Sequence, residues 1–248
     1  MRFITTLMAL FALATTTVFA ASSDDNPYAK NYVARPGVQG STKQGEPRVF
    51  RGVDKDADYQ RLLEDGFDLL GTSSFQATVV PVQQLLAQEK KVGADISLVY
   101  TLPLTKVPDS LRLQQAKEEA ALSHAEQEQT NIEQDAPDTQ RLPLSQPFYE
   151  YYATYWVKLA PPVLGLHVQD HPTDSDKPGL PIVAVIKGSP AAAAGLLKGD
   201  VVLKIGDVEA KSGDVLVQEV RANVGKKIEI TFLREDLLMQ KEVQLNAK

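Results

Sequence analysis

Apolar positions recur along this chain with two periods, and the changes of period mark its elements. Over 54–65 the residues are mostly polar, with Tyr59, Leu62 and Leu63 at helical spacing. Asp54 or Asp56 can cap that helix and Gly66 ends it. A second helix is predicted over 81–91, with Val82, Leu85, Leu86 and Val92 on one face and Gly93-Ala94-Asp95 closing it. Strand character precedes these helices at 49–53, lies between them at 67–75 with a turn or bulge at Gly71-Thr72-Ser73-Ser74, and follows them at 96–102. Strand, helix, strand is a βαβ pattern, which favours neighbouring parallel strands.

A fourth strand is expected in the aromatic tract 147–159. It holds five of the chain's sixteen tyrosines and phenylalanines and its only tryptophan. Strand alternation puts Tyr149, Tyr151, Ala153, Tyr155 and Val157 on one face and Phe148, Tyr152 and Trp156 on the other. Core packing accounts for such a cluster; the functional alternative is a face for sugar stacking or protein docking. Between 106 and 141 the chain is rich in Gln, Glu and Ala without a sustained heptad, and a partly helical or disordered surface insertion is expected there.

After Ala160-Pro161-Pro162, which reads as a semi-rigid linker, the pattern becomes strand-dominated. A β-branched strand is predicted over 181–186. Ser189-Pro190 then starts one small helical turn over 191–194 that Gly195 ends, leaving Leu196 and Leu197 to dock on a core. Another strand follows at 201–205, and Gly206-Asp207 suits a two-residue hairpin. A last helix is predicted over 212–224, with Ser212 or Asp214 as cap and Leu216, Val217, Val220 and Val224 at helical spacing. Ile228, Ile230 and Phe232 alternate in the strand after it, and Met239, Val243 and Leu245 fall in the final one.

The 248 residues allow one large or two small domains, and 43% hydrophobic residues suffice for a core. The net charge of −6, without a basic stripe, argues against nucleic-acid binding. The absence of cysteine excludes disulfides, thiolate metal sites, a cysteine nucleophile and a lipid-attachment cysteine. Arg2, a short apolar run from Leu7 to Leu13 and the small residues around Ala20 read as a secretory signal cut after Ala20. No other stretch reaches membrane length, so the mature chain is expected to be exported, periplasmic or secreted, with no stable membrane anchor. Residues 21–47 read as a flexible leader.

The C-terminal pattern resembles the PDZ domain, in the subtype that follows bacterial envelope proteases of the HtrA type. The residues that carry the likeness are Leu164-Gly165-Leu166, Ser189-Pro190-Ala191, Ala194-Gly195-Leu196, Gly199-Asp200-Val201-Val202 and Ile205-Gly206. The resemblance covers 161–248 and implies a partly open β-barrel capped by two short helices. Residues 48–160 are then a preceding α/β or α+β module. That part resembles an α/β module found before PDZ domains in some exported bacterial proteins, through Gly66-Phe67, Gly71-Thr72-Ser73-Ser74-Phe75 and Gly93-Ala94-Asp95, and the likeness carries no activity with it.

The PDZ likeness implies a non-enzymatic adaptor in which a peptide or protein C-terminal tail adds a strand to a sheet edge. Val163-Leu164-Gly165-Leu166 is the candidate carboxylate nest, and Leu166, His167 and Val168 the pairing edge. Leu216 and Val220 are expected to approach from the helix. Leucine and valine linings point to an apolar last residue. His167 is either a pH-sensitive contact to the ligand or an exposed strand residue. A tryptophan at Gly165 is expected to close the nest without touching the core.

No cofactor or metal is implied. A trypsin-like GNSGG loop, HExxH, G-x-G-x-x-G and P-loop motifs are all missing. Asp54, Asp56 and Asp58 lack the loop glycine and closing glutamate of a calcium loop. The rival to the adaptor is a hydrolase or small-ligand binder with its site near residues 72–75 of the α/β module.

Overall fold

The computed structural model describes residues 26–40, 46, 48–105, 109–111, 113, 117, 147–170 and 178–247. The signal predicted over 1–20, residues 21–25, 41–45 and 47 of the leader and most of the insertion at 106–141 lie outside the described residues.

The N-terminal unit is a five-stranded sheet with helices on both faces. In chain order its elements are α1 (Pro27–Lys30), β1 (Tyr32–Ala34), β2 (Val49–Arg51), α2 (Lys55–Glu64), β3 (Phe67–Ala77), α3 (Val82–Val92), β4 (Ile96–Pro103) and β5 (Tyr149–Lys158). The Asp54 carboxylate caps α2 by accepting from the Asp56 and Ala57 amides, and Gly93 closes α3. Leu62 and Leu63 of α2 pack on Ile96, Leu98, Tyr100 and Trp156, while Leu85 of α3 packs with Tyr28, Tyr151 and Tyr155 on the opposite face.

The strand order is β1-β3-β5-β4-β2. β3 and β4 are therefore not neighbours, contrary to the βαβ expectation. The aromatic strand β5 lies between them, antiparallel to both, and the parallel pair is β2 with β4. The physical reason lies in β5 itself. Tyr151, Ala153, Tyr155, Trp156 and Val157 are all buried, so the strand hides both faces and belongs in the middle of the sheet.

Two local expectations also change. Of the turn or bulge anticipated at Gly71–Ser74, no turn forms; β3 runs on to Ala77, with a bulge-like register shift between Leu69 and Gly71. Gly71 is there because β1 comes close: a Cβ at this position would lie 2.4 Å from the Val33 carbonyl oxygen. β1 itself lies in the tract read as leader. Residues 26–34 are instead built into the unit. Asn26 caps α1, Tyr28 is 2% exposed and packs edge-on against Phe75, and β1 pairs with β3.

The C-terminal unit is mostly β. It comprises β6 (Leu166–Val168), β7 (Leu180–Val185), α4 (Pro190–Ala193), β8 (Val201–Ile205), β9 (Val208–Glu209), α5 (Gly213–Ala222), β10 (Lys227–Arg234) and β11 (Leu237–Gln244). Its sheet follows the path β11-β10-β8-β7-β6, with β9 beside β8, and the path does not close into a barrel. Leu180, Ile182, Leu196, Val202, Ile205, Ile230 and Phe232 form its centre. Leu197 differs from its neighbour: it is exposed. The turn before β8 is held by Asp200, whose carboxylate takes the Leu197 amide and both Nε and Nη2 of Arg234, each at 2.8 Å.

The two units touch through the start of the N-terminal sheet and the back of β7. Ala184 and Val183 pack with Leu62, Leu63 and Phe67. The Lys187 amide donates to the Glu64 carbonyl at 2.8 Å, and the Lys187 ammonium pairs with Asp65 at 2.7 Å. The expected semi-rigid linker thus runs beside a packed joint.

Candidate functional site

β6 is the end strand of its sheet. Its inner side pairs with β7, and no described strand pairs with its outer side. The Gly165 carbonyl accepts from Ile186 and the Gln169 amide donates to Pro181, so both point toward β7. Backbone direction alternates along a strand, which leaves the amide and carbonyl of Leu166 and of Val168 facing outward.

The loop before β6 is held by its carbonyls. Val163 accepts from the Asn246 amide at 3.0 Å, Leu164 from Ala191 at 2.9 Å and Gly165 from Ile186 at 3.0 Å. With every carbonyl turned into the protein, no described acceptor takes the Leu164 or Gly165 amide. Unspent successive amides are the makings of an anion nest. Gly165 is required at this point. Its φ is +91°, and a Cβ would lie 2.2 Å from Ser189 Cβ. Ser189 ties the two parts together: its hydroxyl accepts from the Ala192 amide as the α4 cap and lies 3.5 Å from the Gly165 carbonyl. A tryptophan at Gly165 therefore cannot spare the core, contrary to the sequence expectation, because the collision starts at its first side-chain atom.

α5 forms the opposite wall. Between it and the loop lies a cleft of about 190 Å³, lined by Val163 to Leu166 on one side and Leu216, Val217, Val220 and Arg221 on the other. A cavity of about 150 Å³ accepts a benzene ring, so this one has room for one large apolar side chain. Of the anticipated site residues, the fold brings Leu164, Gly165, Leu166, Leu216 and Val220 together around the cleft. Val168 lies further along the same strand, packed against the core. Val163, anticipated as the first residue of the nest, lines the cleft as well, whereas Val217 and Arg221 were missed. Helical spacing identified the 216/220 stripe, but not that the groove also uses the next positions round the helix. Arg221 is the only charged residue in the lining, and it is exposed.

His167 does not line the cleft. Its side chain points away from the groove, toward the N-terminal unit, and is neither a ligand contact nor an exposed strand residue. Nε2 is buried without a hydrogen-bond partner. Burial holds the imidazole below its ordinary value of 6.5, with Arg35 adding to the effect, while Asp68 and the Leu63 backbone favour the charged form. A lowered folded value means that the unfolded chain takes up the proton first as pH falls. Stability is then intact above about pH 6.5 and is lost as pH drops through the window below it. Thermal melts between about pH 7.5 and about pH 5.5 should show a steeper loss for the native chain than for His167→Gln. Equal slopes would remove His167 as the cause.

At the rival location near 72–75, Ser74 is exposed but Ser73 is not. Ser73 is fully buried; its hydroxyl donates to the Tyr28 carbonyl at 2.7 Å and meets the Tyr155 hydroxyl at 3.0 Å. Phe75 stacks on Tyr151. These are structural bonds, and they leave Ser73 no access to a substrate.

Comparison with known proteins bears on the C-terminal unit. Residues 182–234 match the family model described as a PDZ domain; the match does not extend to the N-terminal unit. No curated protein matches the chain. Among solved structures, the chain is similar to the HtrA-type protease AlgW with decapeptide, at 29% identity and TM-score 0.31, over 34% of this chain and 29% of that one. It is also similar to the HtrA3 PDZ domain bound to a phage-derived ligand (FGRWV), at 14% identity and TM-score 0.31, over 34% of this chain and 83% of that one. A serine endoprotease from Yersinia pestis is similar at 20% identity and TM-score 0.29, over 36% of this chain and 30% of that one. The chain thus spans about three-tenths of the AlgW chain it matches. The family match and the open sheet with its two short helices agree: the C-terminal unit of this chain is a PDZ domain.

Proposed function

We propose that this PDZ domain binds the apolar C-terminal end of a peptide or protein, as a non-enzymatic interaction module in an exported protein. The observation that carries the proposal is the unpaired outer edge of β6 beside an apolar cleft. The ligand extends along Leu166 and Val168 as an added strand, and its last side chain fills the cleft. Its terminal carboxylate meets the unspent amides of Leu164 and Gly165. Burial of one such side chain contributes about 2 kcal/mol; ordering of the ligand offsets part of the total, which leaves affinity on the order of micromolar. Export rests on the signal-like residues 1–20 alone, and cleavage after Ala20 is the corresponding expectation for mass spectrometry of the mature protein.

Arg221 adds a charge at the mouth of the cleft. An exposed guanidinium contributes well under 1 kcal/mol to such a contact, and salt screens it. Titration with a valine-ended peptide, as free acid and as amide, tests the reading. The free acid should bind about tenfold or more tightly, since hydrogen bonds to a charged group contribute roughly 1.5–3 kcal/mol. Arg221→Ala should weaken the acid a few-fold and flatten its salt dependence. Equal binding of acid and amide would remove the carboxylate nest from the account.

A further inference from the structure

A second cleft, of about 180 Å³, opens on the N-terminal unit beside the first turns of α2. Its floor is aromatic and polar-satisfied. Trp156 is 1% exposed and its indole N–H donates to the Thr154 hydroxyl at 2.9 Å, while the Tyr100 hydroxyl donates to Asp58 at 3.2 Å. Tyr59 stands edge-on to Trp156, and Tyr152 lies tilted against Tyr100. These two outer rings are the less buried ones.

The rim is different. The Lys55 ammonium lies 4.4 Å from the Tyr152 ring centroid, and Asp56 lines the cleft beside it. Among the described residues, no hydrogen bond takes the hydroxyls of Tyr59 and Tyr152, the Lys55 ammonium or the Asp56 carboxylate. The cleft therefore combines ring faces with four unspent polar groups: two neutral hydroxyls, one cation and one anion.

That set discriminates between ligand classes. A cationic ligand competes with Lys55 for the Tyr152 face and meets like charge. An anionic ligand meets Asp56. A purely apolar ring packs on the aromatic faces but gains nothing from the four polar groups at the rim. A neutral ring that carries hydroxyls suits all of it: its C–H face packs on an aromatic ring, and its hydroxyls both donate and accept. The volume holds one such ring. We propose that this cleft binds a single neutral sugar ring of a glycan, with Tyr59 and Tyr152 as stacking residues and Lys55 and Asp56 as hydrogen-bonding ones.

The sole tryptophan makes the test direct, because Trp156 lines this cleft and no second indole contributes to the emission. The full chain is titrated with maltose, cellobiose and N,N′-diacetylchitobiose. Benzoate, choline and N-acetylphenylalaninamide serve as anionic, cationic and aromatic-side-chain probes. The expected result is an emission change with at least one disaccharide, accompanied by saturation transfer from protein to its ring protons. Tyr152→Ala should weaken that binding about tenfold. Tyr59→Ala, at a more exposed helix position, should weaken it as well with a smaller fall in melting temperature, and it decides the matter if the Tyr152 variant fails to fold. No response to any sugar overturns the proposal. So does a sugar response that neither variant alters, or a tighter response to benzoate, choline or the phenylalanine amide, the last of which would point to a protein side chain as the occupant.

Discussion

Gly165→Ala is expected to lower the stability of the PDZ domain by about 3 kcal/mol and to abolish its peptide binding. Two costs act together. A non-glycine residue at a φ of +91° is strained, and the added Cβ would lie 2.2 Å from Ser189 Cβ and 2.5 Å from its Oγ. Relief requires the loop to move away from α4. Such a movement breaks the bonds from Ala191 to the Leu164 carbonyl and from Ile186 to the Gly165 carbonyl, which set the direction of the nest amides. Stability and binding should therefore fall together, as read from a melt of the full chain and a peptide titration. An alanine variant with native melting and native affinity would contradict the close approach of Gly165 to Ser189 as the constraint on this loop.

The second large effect is expected at Asp200. This carboxylate is 1% exposed, yet it accepts three hydrogen bonds, from the Leu197 amide and from two nitrogens of Arg234. Arg234 in turn donates to the Gly195 carbonyl at 2.8 Å. One acid thus joins the end of the α4 turn, the start of β8 and the end of β10. Asp200→Ala strands the Leu197 amide and unpairs the guanidinium, and breaking a pair with one buried member is among the costlier substitutions. The melting temperature should fall by about 10 °C or more. Asp200→Asn keeps the shape and loses the charge, so it should fall between the two. Since Asp200 does not touch the cleft, the surviving folded fraction should bind peptide with native affinity, which separates this effect from that of Gly165.

Much of this architecture could be read from local signals. The caps at Asp54, Ser189 and Ser212 and the hairpin at Gly206-Asp207 all formed where the residues indicated, because each depends only on a few adjacent backbone groups. Long-range pairing was less accessible. The insertion of β5 between β3 and β4 joins residues separated by the whole tract 104–148. Its one sequence trace was the apolar character of both faces, which marks a central strand. The N-terminal residues 26–34 hid their role in a polar context. Only Asn26-Pro27, a cap followed by proline at the first helical position, and the two tyrosines Tyr28 and Tyr32 signalled order there. In the groove, the loop around Gly165 was recognisable from its own residues, whereas the approach of Val217 and Arg221 depends on how α5 is rolled against the core. The Asp200–Arg234 pair bridges two strands, and no local pattern announces it.

His167 connects the two units physically. Its backbone belongs to the edge strand proposed to receive a ligand, and its imidazole is buried toward the N-terminal sheet.

The central claim is that the outer edge of β6 takes up an added strand. Amide hydrogen exchange at Leu166 and Val168, measured in the full chain with and without a saturating valine-ended peptide, tests it most directly. The account predicts that the exposed Leu166 and Val168 amides become strongly protected when the peptide binds, while those already paired with β7 change little. Peptide binding with unchanged exchange at both residues would contradict it.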